Sequence, residues 1–175
     1  MRIIAGRWRG HRISAPPGHA TRPTSDRVRE AWMSAVQFEL EGSRVLDLFA
    51  GSGALGIEAL SRGAVHATFV ENSPRALNAL RANLRKLGIG TEAAVVRGNA
   101  MEFAARQAHA AFDLALADPP YGQGLAARLV ELFTRSPFAR ALWIEHGAEE
   151  TLPELAGTRT RRYGDTAITM IPAPS

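Results

Sequence analysis

The residues best equipped for chemistry are Asp118-Pro119-Pro120-Tyr121, which close an apolar run, FDLALAD, over 112–118. An exocyclic amine on a nucleobase is a poor nucleophile because its lone pair is delocalised into the ring. Two acceptors, the Asp118 carboxylate and the Pro119 carbonyl, could take hydrogen bonds from its two N–H bonds. They would favour a pyramidal nitrogen and stabilise the positive charge growing on it. Pro119 and Pro120 stiffen the turn, and the Tyr121 ring can stack on a base. Read more plainly, the tetrapeptide is a rigid loop after a strand.

A second constellation spans Asp47, Leu48, Phe49, Ala50, Gly51, Ser52 and Gly53. Gly51 and Gly53 let backbone approach a ligand at the carboxyl end of a first strand, the usual crevice of an open α/β sheet. With Gly56 they fit GxGxxG, so a nicotinamide dinucleotide is a competing ligand. Asp47 is either a cofactor-site residue or a simple turn acid, and Phe49 reads as packing more than stacking. Glu71, followed by Asn72, ends the second strand, where a carboxylate can accept both ribose hydroxyls of either cofactor. Asn99, followed by Ala100, either reads an adenine amino group or caps a helix, and both roles are compatible. Asp118–Tyr121 discriminates, because hydride transfer has no use for it and amine methylation does. S-adenosylmethionine is therefore the expected cofactor, its sulfonium giving up a methyl group by in-line displacement, with positioning as the main catalytic task. There is no cysteine, which excludes base-carbon methylation through a thiol adduct. The five histidines share no metal-ligand spacing, so no metal is expected.

These residues need a scaffold. The pattern predicts strands at 44–50, 66–70, 93–97, 112–118 and 140–146, alternating with helices. One helix is capped by Ser73 and Pro74 and carries Leu77, Leu80, Leu84 and Leu87 on one face. That alternation implies a parallel sheet with helices on both faces. TRTRRYG and DTAITMIP are separated only by Gly164-Asp165, which predicts an antiparallel hairpin at the end. Residues 25–40 read as a helix with Val28, Ala31, Trp32, Ala35 and Phe38 inward. Residues 1–14 suggest a small hairpin turning near Gly6–Gly10, and 15–24 a Pro-rich connection.

Of 21 basic residues, all but Lys86 are arginine. Residues 1–30 hold Arg2, Arg7, Arg9, Arg12, Arg22, Arg27 and Arg29 against Asp26 and Glu30, so the net +4 is concentrated at one end. This predicts a basic, RNA-facing extension over 1–24 on a near-neutral catalytic domain over 25–175, with Arg7, Arg9, Arg12, Arg27, Arg29 and Pro120 toward the nucleic acid. The apolar content of 46% suits a globular chain of one domain. No membrane span or signal peptide is visible, and a cytoplasmic monomer is the default expectation.

RIIAGRWRG, RPTSDRVREAWM, DLFAGSGALGIEALSRGA, the strand ending in Glu71, DPPY and YGDTAI, in that order, resemble the bacterial 16S ribosomal RNA guanine-N2 methyltransferases, the RsmD family. The resemblance implies a Rossmann-like class I methyltransferase: a seven-stranded, mostly parallel sheet, an antiparallel C-terminal hairpin and a small N-terminal extension. It implies methylation of a guanine N2 in small-subunit ribosomal RNA, within a partly assembled subunit. By position it puts Arg22, Thr24, Arg27 and Glu30 over the cofactor and toward the RNA. Asp47, Gly51 and Gly53 fall at the methionine end, Glu71 at the ribose and Asn99 near the adenine. Asp118, Pro119 and Tyr121 fall at the target amine. Many members carry Asp where this chain has Asn99; an amide can still bond adenine, so the departure bears on contact strength. The competing readings are an adenine- or cytosine-amino methyltransferase acting on DNA or other RNA, a nicotinamide oxidoreductase, and a non-catalytic RNA-binding factor. The chain is short for the separate target-recognition domain that DNA enzymes often carry.

Overall fold

The computed structural model describes residues 1–16 and 26–174. In chain order the elements are α1 (Asp26–Ala35), α2 (Gln37–Leu40), β1 (Arg44–Leu48), α3 (Ala54–Ser61), β2 (His66–Glu71), α4 (Pro74–Lys86), β3 (Ala93–Arg97), α5 (Ala100–Ala105), β4 (Phe112–Ala117), α6 (Leu125–Arg135), β5 (Ala139–Gly147), β6 (Arg159–Tyr163) and β7 (Thr166–Pro172). They build one seven-stranded sheet, ordered β3-β2-β1-β4-β5-β7-β6. The β1–β5 pairings are parallel, whereas β7 runs antiparallel to both β5 and β6. Strand order reverses between β1 and β4, which opens a crevice at their carboxyl ends.

Alternation along the strands splits the core into two layers. Val45, Ala67, Phe69, Leu114, Leu116 and Ala141 pack beneath α1, α3 and α4. Leu46, Leu48, Val70, Ala115, Leu142 and Ile144 pack beneath α5 and α6. The α4 cap forms as its sequence predicts, with Ser73 Oγ accepting from Ala76 N and Pro74 in the first turn.

The helix expected over 25–40 is broken. Val36 sits between α1 and α2 at φ −92°, ψ −3°, and the inner face is Trp32, Met33, Val36 and Leu40, all fully buried. Phe38, expected inward, is 95% exposed. At about 100° per residue it lies some 200° around the axis from Val36.

The N-terminal segment is narrower than a regular hairpin. Ile3 N donates to His11 O, Gly10 N donates to Ile3 O, and Arg2 faces Arg12 in a single bridge. Its apolar residues, Ile3, Trp8 and Ile13, are buried in the same layer as α1 and α3. Docking on α3 is polar and specific. Arg7 N donates to Ser61 O at 2.7 Å, Trp8 N to Ser61 Oγ at 3.0 Å, and Ile4 and Ala5 N–H groups to Glu58. Gly6 is required at this contact: at φ +81° a Cβ would fall 1.7 Å from the Ser61 carbonyl oxygen.

Candidate active site

The loop after β1 is held at three points. Glu71, at the end of β2, accepts Gly51 N–H at 2.7 Å through Oε2. Its Oε1 accepts the N–H groups of Asn72 and Ser73. Asp47 Oδ2 accepts Gly56 N–H at 2.9 Å, tying β1 to the first turn of α3. Asn83, buried on α4, donates through Nδ2 to Ser52 O and Ser14 O, and its Oδ1 accepts Ser14 N–H. The N-terminal segment is thereby fastened to the glycine loop through a single amide. These anchors hold Phe49 at φ +59°, a left-handed conformation that costs a non-glycine residue energy and persists only where its surroundings over-determine it. Phe49 is half-buried against the α5/α6 layer, as the packing reading expects. Gly53 stands at φ +84°, and a Cβ there would meet Leu80 Cδ1 at 2.3 Å.

Asp47 is 1% exposed. Burial drives its carboxyl well above the ordinary aspartate range, Gly56 N–H pulls it back, and the negative charges of Asp118 and Glu71 add to the rise. The carboxylates from β1, β2 and the end of β4 therefore share one electrostatic environment. A molecule carrying a sulfonium and an ammonium group is the charge complement of such a cluster, and a cation placed among them favours their ionised forms. A Cβ added to Gly51 would find nothing nearer than Phe49 O at 4.0 Å, so the loop leaves room for a ligand beside its backbone. These features fit S-adenosylmethionine.

Asn99 caps α5, its Oδ1 accepting from Met101 N and Glu102 N. The capping role expected for it is real; Oδ1, the acceptor that an adenine amino group would need, is taken by these two N–H groups, which leaves the Nδ2 donors. Ala100 is buried behind it.

The Asp118–Tyr121 turn leaves β4 at the crevice, with Pro119 buried and Pro120 exposed. Tyr121 Oη donates to Glu145 Oε1 at 2.7 Å and lies 3.1 Å from Thr166 Oγ1. The tyrosine has one proton; once it goes to Glu145, the Thr166 hydroxyl is the donor in the second bond. Burial raises the Tyr121 hydroxyl above its usual range, and the carboxylates of Glu145 and Asp118 push the same way, so the phenol stays protonated. The ring is thus clamped from β5 and β7. Sequence reasoning found Tyr121 but neither clamp residue, although Thr166 lies in the YGDTAI segment. Beside Tyr121 opens a depression of about 440 Å³, bounded by Gly122, Gly147, Glu150 and Asp165.

The expected RNA-facing arginines divide. Arg9, Arg12 and Arg27 are exposed. Arg7 lies over the Trp8 ring at 4.5 Å and pairs with Glu92 at 3.2 Å, its side chain still 66% exposed. Arg29 departs from expectation. It is 2% exposed, bonded to Arg2 O and paired with Asp26, so it joins α1 to the N-terminal segment and does not face solvent. Arg22 and Thr24 lie outside the described residues.

A glycine loop and an acidic strand end beside a DPPY turn, on this strand order, define a class I S-adenosylmethionine-dependent methyltransferase. The chain belongs to the family described as conserved hypothetical protein 95, the RsmD family, which matches residues 1–172. It is 37% identical to ribosomal RNA small subunit methyltransferase D of Escherichia coli, over 87% of this chain and 78% of that protein. The solved structure of yhhF from Escherichia coli superposes with a TM-score of 0.82 at 35% identity, covering 97% of this chain and 96% of the other. A Thermus thermophilus 16S rRNA N2 G1207 methyltransferase, RsmC, in complex with AdoMet and guanosine, superposes with a TM-score of 0.75 over 99% of this chain and 49% of its own. At 19% identity that likeness speaks to the fold alone.

Proposed function

We propose that the protein methylates the exocyclic N2 amine of a guanine in 16S ribosomal RNA, in a partly assembled small subunit, acting as a cytoplasmic monomer. The observation that carries this reading is the DPPY turn beside the acidic crevice. Asp118 and the Pro119 carbonyl accept the two N–H bonds of the amine and stabilise charge as the nitrogen attacks. Tyr121, fixed through its hydroxyl, offers its ring face to the base, and Pro120 borders the RNA. Glu150 or Asp165, bounding the depression beside Tyr121, suits the N1–H donor of a guanine edge, the two N2–H bonds being taken by Asp118 and Pro119. Asp47, Phe49, Ala50, Gly51, Ser52 and Gly53 surround the methionine end of the cofactor. Glu71 and Asn72 take the ribose and Asn99 and Ala100 the adenine. When bound, S-adenosylmethionine supplies an electrophilic methyl group. No helix among the described residues is long and apolar enough to cross a membrane.

Unmodified small-subunit RNA incubated with the protein and labelled S-adenosylmethionine should yield labelled N2-methylguanosine at one position by mass-spectrometric nucleoside analysis. Label in another base, or none from RNA and particles alike, would overturn the substrate assignment.

The basic extension over 1–24 is the RNA-facing arm of this reading. Arg7→Ala with Arg9→Ala should weaken RNA binding and flatten the plot of log affinity against log salt by about 0.7–0.9 units for each phosphate no longer neutralised. Arg9 should carry more of this than Arg7, whose charge is already shared with Glu92. S-adenosylmethionine binding should not move. A salt slope unchanged by both substitutions refutes the arm's role.

A further inference from the structure

A second feature bears on the same reaction from the far edge of the sheet. On the face covered by α1 and α2, β5 presents Trp143, β7 presents Ile168 and Met170, and β6 presents Arg159, Arg161 and Tyr163. With Trp32, Ala35 and Glu39 opposite, they enclose a cleft of about 130 Å³. Trp143, Met170 and Tyr163 are half-buried, whereas Arg159 and Arg161 are exposed.

We propose that this cleft is a second RNA-binding site, which takes an unpaired nucleotide flanking the target, its base against Trp143 and Met170 and its phosphates on Arg159 and Arg161. The inference rests on the RNA-methyltransferase reading. Three observations carry it.

The first is charge. β6 is the edge strand, and alternation sends Arg159 and Arg161 to the cleft face and Arg162 to the other, where it pairs with Glu149 at 3.3 Å. Among the described residues neither Arg159 nor Arg161 has an ion pair, and Glu39, the acid on the cleft wall, feels the Arg159 charge. The mouth therefore keeps one net positive charge. Arginine beside aromatic surface is the combination that binds single-stranded nucleic acid without reading its sequence.

The second is unsatisfied bonding. The indole N–H groups of the lining residues Trp32 and Trp143 have no acceptor among the described residues and are closed off from the cleft in this conformation, so an acceptor reaches them only when the side chains turn. A buried donor left without an acceptor is destabilising. A ligand rich in acceptors can relieve that cost, which an apolar guest cannot.

The third is continuity with the catalytic turn. Trp143 lies two residues before Glu145 on the same face of β5, and Ile168 two residues beyond Thr166 on β7. Glu145 and Thr166 are the residues that grip Tyr121. Tyr163 pairs with Thr166 in the hairpin register. Two residues of strand span roughly 6.6 Å, about the spacing of adjacent nucleotides. Glu145, Thr166 and Ile168 are themselves buried, so a strand whose target base lies at Tyr121 would reach the cleft across the outside of this edge.

The test uses the full chain and a short unpaired oligoribonucleotide. With Arg159→Ala and Arg161→Ala together, affinity should fall about tenfold and the salt slope by roughly 1.4–1.8 units, the value for two phosphates. Saturating turnover and S-adenosylmethionine affinity should be unchanged. Lysine at both positions should restore the slope. The oligonucleotide should also quench tryptophan fluorescence in the wild type, and Trp143→Phe should abolish most of that quenching. Unchanged slope and quenching in these variants overturn the proposal, and so does a defect confined to assembled particles, which would mark a protein-docking face. Failure of the parent reading is distinct: the wild type would then put no methyl group on RNA, whatever the oligonucleotide titration shows.

Discussion

Asp118→Ala should lower methyl-transfer turnover by about 10²- to 10³-fold, the scale found when one preorganised group facing a developing charge is deleted, while S-adenosylmethionine affinity falls far less, through the loss of one of three neighbouring carboxylates. The separation follows from position. The cofactor loop is anchored by Glu71, Asp47 and Asn83 through Gly51, Gly56 and Ser52, and Asp118 is a partner in none of these bonds. Asp118 begins the turn after β4 and acts on the amine only as positive charge appears there. Asp118→Asn keeps an acceptor oxygen and the shape of the turn but loses the charge, so its rate should lie between wild type and alanine. Single-turnover rates with pre-bound RNA, beside calorimetry with cofactor alone, measure the two effects separately. Equal loss in both would place Asp118 in the cofactor site, and an unchanged rate would remove it from the chemistry.

Features written as local periodicity were legible in the sequence. The strands at 93–97, 112–118 and 140–146, the Ser73 cap and the final hairpin form close to where apolar runs, caps and turn residues put them. So do the candidate residues at strand ends, because a parallel sheet brings all its carboxyl ends to one side whatever the details of packing. Residues whose role depends on partners far along the chain were not legible. Glu145 and Thr166 sit in ordinary strands, and nothing in their neighbourhoods says that Tyr121 arrives between them. Asn83 did leave a signal, a polar residue within the leucine stripe of α4, where a buried amide needs partners. Arg29 and Phe38 misled for opposite reasons. Charge composition counted a buried arginine as surface, and a helical stripe was extended through the break at Val36.

Glu58→Ala should destabilise the fold by about 3–5 kcal/mol, the cost of leaving a buried charge without its partner, and lower Tm by on the order of 10 °C for a chain of this size. Glu58 is 1% exposed on α3. Its carboxylate accepts Ile4 N–H at 2.9 Å and Ala5 N–H at 3.0 Å, and it pairs with Arg62 at 2.9 Å, whose side chain is itself 5% exposed. It also supplies negative charge to the buried Arg29. Alanine would strand one guanidinium, weaken the compensation of another and orphan two backbone donors together. The damage should be directional, because these bonds hold the N-terminal segment and its arginines on α3. Limited proteolysis should cut within residues 1–14 before the sheet unfolds, and RNA affinity should fall more than S-adenosylmethionine affinity. Glu58→Gln keeps the volume and one acceptor oxygen without the charge, so it should lie between the two. A Tm for Glu58→Ala within about 2 °C of wild type would mean that the segment is held by Ile3, Trp8 and Ile13 alone. The polar contacts with α3 would then set its register and add little to its stability.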